Sequence, residues 1–207
     1  MADYKDVKYN VDYGDTTGGA GGLNLISSSH IANGASGHDD IASSIDFTSG
    51  LDSTYDVYKF IVNGMIPDGQ QSLHFQVDTG TNTNYNQTVT STYFNASHYE
   101  SGSATNLGYE ASKDQAQGSS FITLAQNIGN DNDQHMSGEL TIYSPSSDTF
   151  VKHFTSRVVE HHRIDLIIDC FIAGYFNTQT PLTKFQFKMS SGNIDAGKIK
   201  LYGIKDS

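Results

Sequence analysis

The sequence predicts an all-β protein: an antiparallel β-sandwich of jelly-roll-like order with a flexible N-terminal arm. Three observations carry that expectation. Apolar residues recur with a period of two in one segment after another, the spacing that sends alternate side chains to opposite faces of a strand. Turn-forming Gly, Ser, Thr, Asn and Asp separate those segments at short intervals. No stretch shows the 3.6-residue period of an amphipathic helix.

Taken in order, residues 1–22 stand apart from the rest. The run from Asp3 to Tyr13 is polar and dotted with Tyr4, Tyr9 and Tyr13, and it leads into Gly-Asp-Thr-Thr-Gly-Gly-Ala-Gly-Gly. That glycine content describes a linker. The three tyrosines, apolar with a polar tip, are the candidate docking contacts of the arm. Residues 23–207 form the sandwich domain. Leu23 and Leu25 open a first strand that runs to Ile31, and a loop containing Asp39 and Asp40 follows. Ile45 and Phe47 alternate with Ser44, Asp46 and Thr48 in a second strand. In residues 55–66, Tyr58, Phe60 and Val62 share one face and Val57 and Ile61 the other, as expected of a central strand. Pro67, Asp68 and Gly69 end it. Leu73, Phe75 and Val77 alternate with His74, Gln76 and Asp78. A polar loop holding Tyr85 comes next, then a strand over residues 88–96.

Residues 98–119 are mostly polar, carry Gly102, Gly108 and Gly118, and read as one long loop. Its Tyr99 and Tyr109, with Tyr85, are the candidate receptor-facing residues. Strands are expected over 121–128, 140–143 and 150–161. Residues 166–176 are so apolar that they read as a core strand. The chain closes on two alternating runs: Phe185, Phe187 and Met189 against Lys184, Gln186 and Lys188, then Ile199 and Leu201 against Lys198, Lys200 and Tyr202. The Gly192–Asn193 turn between them suggests a hairpin around which the fold closes. The total is about ten strands with turn signals between them.

The charge narrows the function classes. A formal net charge of −11 opposes binding to a phosphate backbone, so no nucleic-acid partner is expected. No apolar run approaches the roughly 18 residues that span a bilayer, and no basic segment precedes an apolar one as in a secretory leader. Membrane insertion is therefore not expected. The single cysteine, Cys170, sits in Ile-Ile-Asp-Cys-Phe-Ile-Ala and reads as a small buried hydrophobe rather than a reactive thiol.

No cofactor, metal or catalytic residue emerges. His161 and His162 are adjacent, so on a strand they face opposite sides and cannot share one metal. Asp131-Asn132-Asp133 is oxygen-rich but lacks EF-hand spacing. Gly118-Ser119-Ser120-Phe121 lacks the G-x-S-x-G of a nucleophile elbow. The chain is expected not to be an enzyme.

Three segments carry a resemblance: Ser-Ser-Ile-Asp-Phe-Thr-Ser-Gly-Leu-Asp-Ser-Thr-Tyr-Asp-Val-Tyr-Lys-Phe (43–60), Gly-Glu-Leu-Thr-Ile-Tyr-Ser-Pro (138–145) and the closing Lys-Met-Ser-Ser-Gly-Asn-Ile-Asp-Ala-Gly-Lys-Ile-Lys-Leu-Tyr-Gly-Ile-Lys (188–205). In this order the chain, over 25–205, resembles structural proteins of tailed bacteriophages, common among phages of marine bacteria and cyanophages. The resemblance implies a virion location, as a capsid decoration, fibre or tail-appendage protein, with β-sandwich domains and no catalytic motif. It also implies other capsid or tail proteins as partners and a homo-oligomer, a trimer being favoured. The alternative function is a host-attachment module that recognises a surface glycan.

Overall fold

The computed structural model describes residues 22–31, 41–131 and 133–204. They form thirteen strands and no helix: β1 (Leu23–Ile31), β2 (Ile45–Phe47), β3 (Val57–Pro67), β4 (Gln71–Thr79), β5 (Val89–Tyr99), β6 (Thr105–Tyr109), β7 (Gln115–Gly118), β8 (Ile122–Ile128), β9 (Met136–Tyr143), β10 (Lys152–His162), β11 (Leu166–Phe176), β12 (Leu182–Met189) and β13 (Ile194–Ile204). All pairings are antiparallel.

Four of the pairs nest inside one another: β1 with β13, β2 with β12, β3 with β9, and β4 with β8. This is one long hairpin rolled up on itself, the strand order of a jelly roll. One layer runs β2-β12-β4-β8. The other begins β1-β13-β3-β9 and is widened by β10, β11 and β5, with β6 and β7 on the far edge of β5. The layers meet at one corner where His162 pairs with Ile128, and at another through a bridge from Ala42 to Ile194.

The alternation read from the sequence decides which side of each strand looks inward. On β3, Tyr58 and Phe60 are fully buried and Val57 and Ile61 only half-buried, so the central-strand expectation holds. Phe60 packs on Phe185 and Phe187 of the opposite layer, with ring centroids 4.8 and 5.2 Å apart. Phe75 meets Phe154 across the sandwich edge to face at 5.3 Å. Burying each such ring contributes about 2–3 kcal/mol. Gly174 lets two chains close around this cluster. A Cβ there would lie 2.5 Å from Thr90 O and 2.7 Å from Phe154 Cζ.

Three expectations need correction. The closing strands do not form a hairpin: β12 pairs with β2 and β4, and β13 with β1 and β3. Their apolar faces look at each other from opposite layers, so the Gly192–Asn193 turn is a crossover. Asp68 Oδ2 holds that turn by accepting hydrogen bonds from Asn193 N at 2.9 Å and Asn193 Nδ2 at 3.0 Å. Residues 98–119 are not one loop. Thr105, Leu107 and Tyr109 alternate along β6, and Gln115–Gly118 forms β7, because the outer edge of β5 needs partners. Finally, β11 is a core strand on one side only, since Ile167 is 51% exposed.

The polar side of β4 is also covered. Gln76 and Asp78 point away from the core yet are fully buried beneath residues 80–88 and 119–121. Gln76 Nε2 donates to Gln87 O and Ser120 O at 3.2 and 3.0 Å. The Asp78 carboxylate accepts from Thr79 N at 2.8 Å, Tyr85 N at 2.9 Å and Gln87 Nε2 at 3.1 Å. His74, on the same side, has its pKa pushed down to about 4 by burial and then by the nearby Lys113 and Lys188.

Candidate functional site

The widened layer turns an unusual face outward. Because cross-strand neighbours on one face line up in rows, the register places Tyr109, Phe94, Phe171, Arg157 and Glu139 side by side across β6, β5, β11, β10 and β9. The next row holds Leu107, Ala96, Asp169, Val159 and Ser137, and the one after it Thr105, His98, Ile167 and His161. Leu107 is 75% exposed, Tyr109 55%, and Phe94, Val159 and Ile167 stand out of the same surface.

The rings in the first row are already occupied. Phe94 and Phe171 stack at 5.0 Å with 5° between their planes, and the Arg157 guanidinium lies 4.9 Å from the Phe171 centroid. Arg157 is fixed there by two parallel bonds to Asp169, Nε to Oδ1 at 3.0 Å and Nη2 to Oδ2 at 2.7 Å. The Phe171 faces are covered by their neighbours, so this row offers ring edges and aliphatic surface to a partner.

At the end of the face is a pocket of about 440 Å³. Val159 and Ile167 line it, together with His98, Glu100, Asp133, His135 and His161. His161 N donates to His135 O at 3.0 Å, which brings residue 135 alongside. His161 Nε2 lies 3.3 Å from Glu100 Oε1, within ion-pair range but without hydrogen-bond alignment. His162 points the other way and is 8% exposed, so the adjacent histidines do face opposite sides. Just inside, Glu160 is 1% exposed. Its Oε2 accepts from Gln126 N at 2.6 Å while Oε1 has no partner, and burial holds its pKa well above the usual carboxylate range. Among the described residues no three His, Cys, Asp or Glu side chains converge as metal ligands.

Of the sequence-derived candidates, Tyr85 leaves the surface. It is 7% exposed, with φ at 47°, and burial followed by its hydrogen bond to Asp46 pushes the phenol pKa up to about 12. Tyr99 lines the pocket and Tyr109 lies on the outer face, its hydroxyl donating to Asp114 Oδ2 at 2.5 Å. The structure thus separates all three: Tyr109 stands on the outer face, Tyr99 packs against the core at the pocket's end of β5, and Tyr85 is buried under the smaller layer. Tyr4, Tyr9 and Tyr13 lie outside the described residues, as do Asp39 and Asp40. Cys170 is buried, its Sγ accepting from Tyr93 Oη at 2.9 Å. Burial pushes its thiol pKa up, which keeps it unreactive.

Sequence reasoning missed Phe94, Leu107, Val159 and Ile167 as a group. The available signal was that β11 is apolar on both faces in a fold with only two layers, which leaves one face outward.

No family model matches the chain, and no curated protein or solved structure is similar to it. The phage resemblance therefore rests on the quoted motifs, and the functional reading on geometry.

Proposed function

We propose that this chain is a structural protein of a tailed-phage particle, held to neighbouring virion proteins by its N-terminal arm and by the outer face of the widened layer, and present as a homo-oligomer. The observation that carries the reading is the face itself. Phe94, Leu107, Val159 and Ile167 come from four strands and stand exposed on one outer face, around the Arg157–Asp169 pair, on a chain of net charge −11. Such a surface marks a contact site. The jelly-roll order supports it, since shell-forming capsid domains use that architecture, although fold alone does not assign function.

The test is to quantify the chain in purified particles assembled with the parent protein or with Ile167→Asp. The parent should be incorporated, and the variant should fold normally but fall at least about tenfold in incorporation. A chain absent from particles sinks the proposal.

The pocket favours a second reading, attachment to a surface glycan. An apolar floor with imidazole and carboxylate groups around it suits a sugar ring with its hydroxyls. Titrating the full chain with host-envelope polysaccharide separates the two. Binding that is lost in His98→Ala and kept in Leu107→Ser would establish attachment, and no binding at millimolar sugar would remove it.

A further inference from the structure

A β-sandwich must deal with its open sheet margins, because an unpaired strand edge offers a row of N–H and C=O groups to any other strand. Most margins here are closed or too short to serve. β2 has three residues. The edge of β8 at Gln126 N is capped by Glu160 Oε2. The β5 margin is split between β6 and β7, of five and four residues, with a turn at 110–113 between them.

β1 is different. It is nine residues long and, among the described residues, pairs on one side only, with β13. Its sequence, Leu-Asn-Leu-Ile-Ser-Ser-Ser-His-Ile, contains no Asp, Glu, Lys, Arg or Pro. Those are the residues that ordinarily blunt an edge. The one irregularity is a bulge between Leu25 and Ser27. Leu23 and Leu25 stand 54% and 56% exposed.

We infer that β1 is the seat of a second copy of this chain, whose own β1 lies antiparallel to it across a two-fold axis and continues the larger sheet. This deepens the reading of the chain as a self-assembling structural protein. Charge makes β1 the place where a copy meets least repulsion. The protein carries a net charge of −11, so most of its surface repels another molecule of itself, whereas β1 has no acidic or basic side chain apart from His30. The centre of the strand also suits a two-fold: antiparallel pairing sets the small residues Ser27, Ser28 and Ser29 of one copy against those of the other, with no charged side chains opposed. Pairing of this isologous kind closes on itself as a dimer and does not build a threefold ring.

The chain has one cysteine, buried, so single new thiols report cleanly. In the full chain, Ser27→Cys, Ser28→Cys and Ser29→Cys are made separately and oxidised gently. At least one should link most of the protein into covalent dimers, because residues near the axis fall within the Cα separation of about 5.5 Å that a disulfide requires. Ser103→Cys, in the turn between β5 and β6, should not. Ser28→Pro should keep the parent's circular dichroism and weaken the dimer at least about tenfold by sedimentation. A parent that sediments as a monomer at high micromolar concentration overturns the inference. So does a dimer that none of the three serine positions links, or a monomer in which Ser28→Cys links to Tyr9→Cys of the same chain. Dissociation by Ile167→Asp but not by Ser28→Pro removes β1 and leaves the proposed function standing. A β1-linked dimer that is absent from particles does the reverse.

Discussion

On the outer side of the smaller layer, Gln76 and Asp78 are fully buried, while on the outer side of the larger layer Leu107 is 75% exposed and Ile167 51% exposed. The two outer faces thus invert what hydropathy alone suggests. The difference lies in what covers them. Residues 80–88 and 119–121 fold over β4 because its side chains offer hydrogen bonds that those segments need: a carboxylate for Tyr85 N and an amide for Ser120 O. The outer face of β5, β6, β10 and β11 keeps its polar groups to itself: Arg157 and Asp169 bond to each other and the Tyr109 hydroxyl bonds to Asp114. A polar side can therefore be buried within the chain, whereas on the larger layer apolar side chains such as Leu107 and Ile167 stay exposed.

Breaking the covered face should have the largest effect. Asp78→Ala removes an acceptor shared by three donors and leaves them buried, so it should cost about 3 kcal/mol in urea unfolding. A cost below about 1 kcal/mol would show that residues 80–88 hold their place without the carboxylate.

The same face should also make stability depend on pH. His74 has a folded pKa of about 4 against an ordinary 6.5, so the unfolded chain takes up the proton first. Stability is then fully present above pH 6.5 and falls as pH drops towards 4. His74→Gln should flatten that part of the profile, followed by thermal unfolding across the range. An unchanged slope would place His74 in water rather than in the buried surroundings beside Lys113 and Lys188.

The exposed face should contribute little to the stability of the single chain. Leu107→Ser should change the unfolding free energy by less than about 0.5 kcal/mol. Leu73→Ala on the inner side of β4, where Leu73 is fully buried, should cost about 3 kcal/mol. If Leu107→Ser proved as costly as Leu73→Ala, the outer face would be covered within the chain and the contrast would fail.

Much of the fold was legible because strand alternation is local. Phe185, Phe187, Ile199 and Leu201 announce inward-facing positions through their immediate neighbours, and the bounds of β11 match the sequence reading residue for residue. Tyr99 and Tyr109 were picked out together as exposed aromatics, but only Tyr109 stands on the outer face, because the alternation along β5 turns Tyr99 towards the core. Tyr85 was misplaced because nothing local reveals that Asp78 and Asp46 bind it beneath the surface.

By itself, the sequence determined the all-β class, most of the strands, the inward side of most of them and the acidic net charge. These depend on periods of two and on composition, which neighbouring residues carry. Only the tertiary structure decided the layers, the nesting of β1 with β13 and β2 with β12, the crossover at Gly192–Asn193, and which outer face is covered. Those depend on contacts between residues far apart in the chain. Period two says that a strand has two faces, and only the packing of other segments determines which of them meets water.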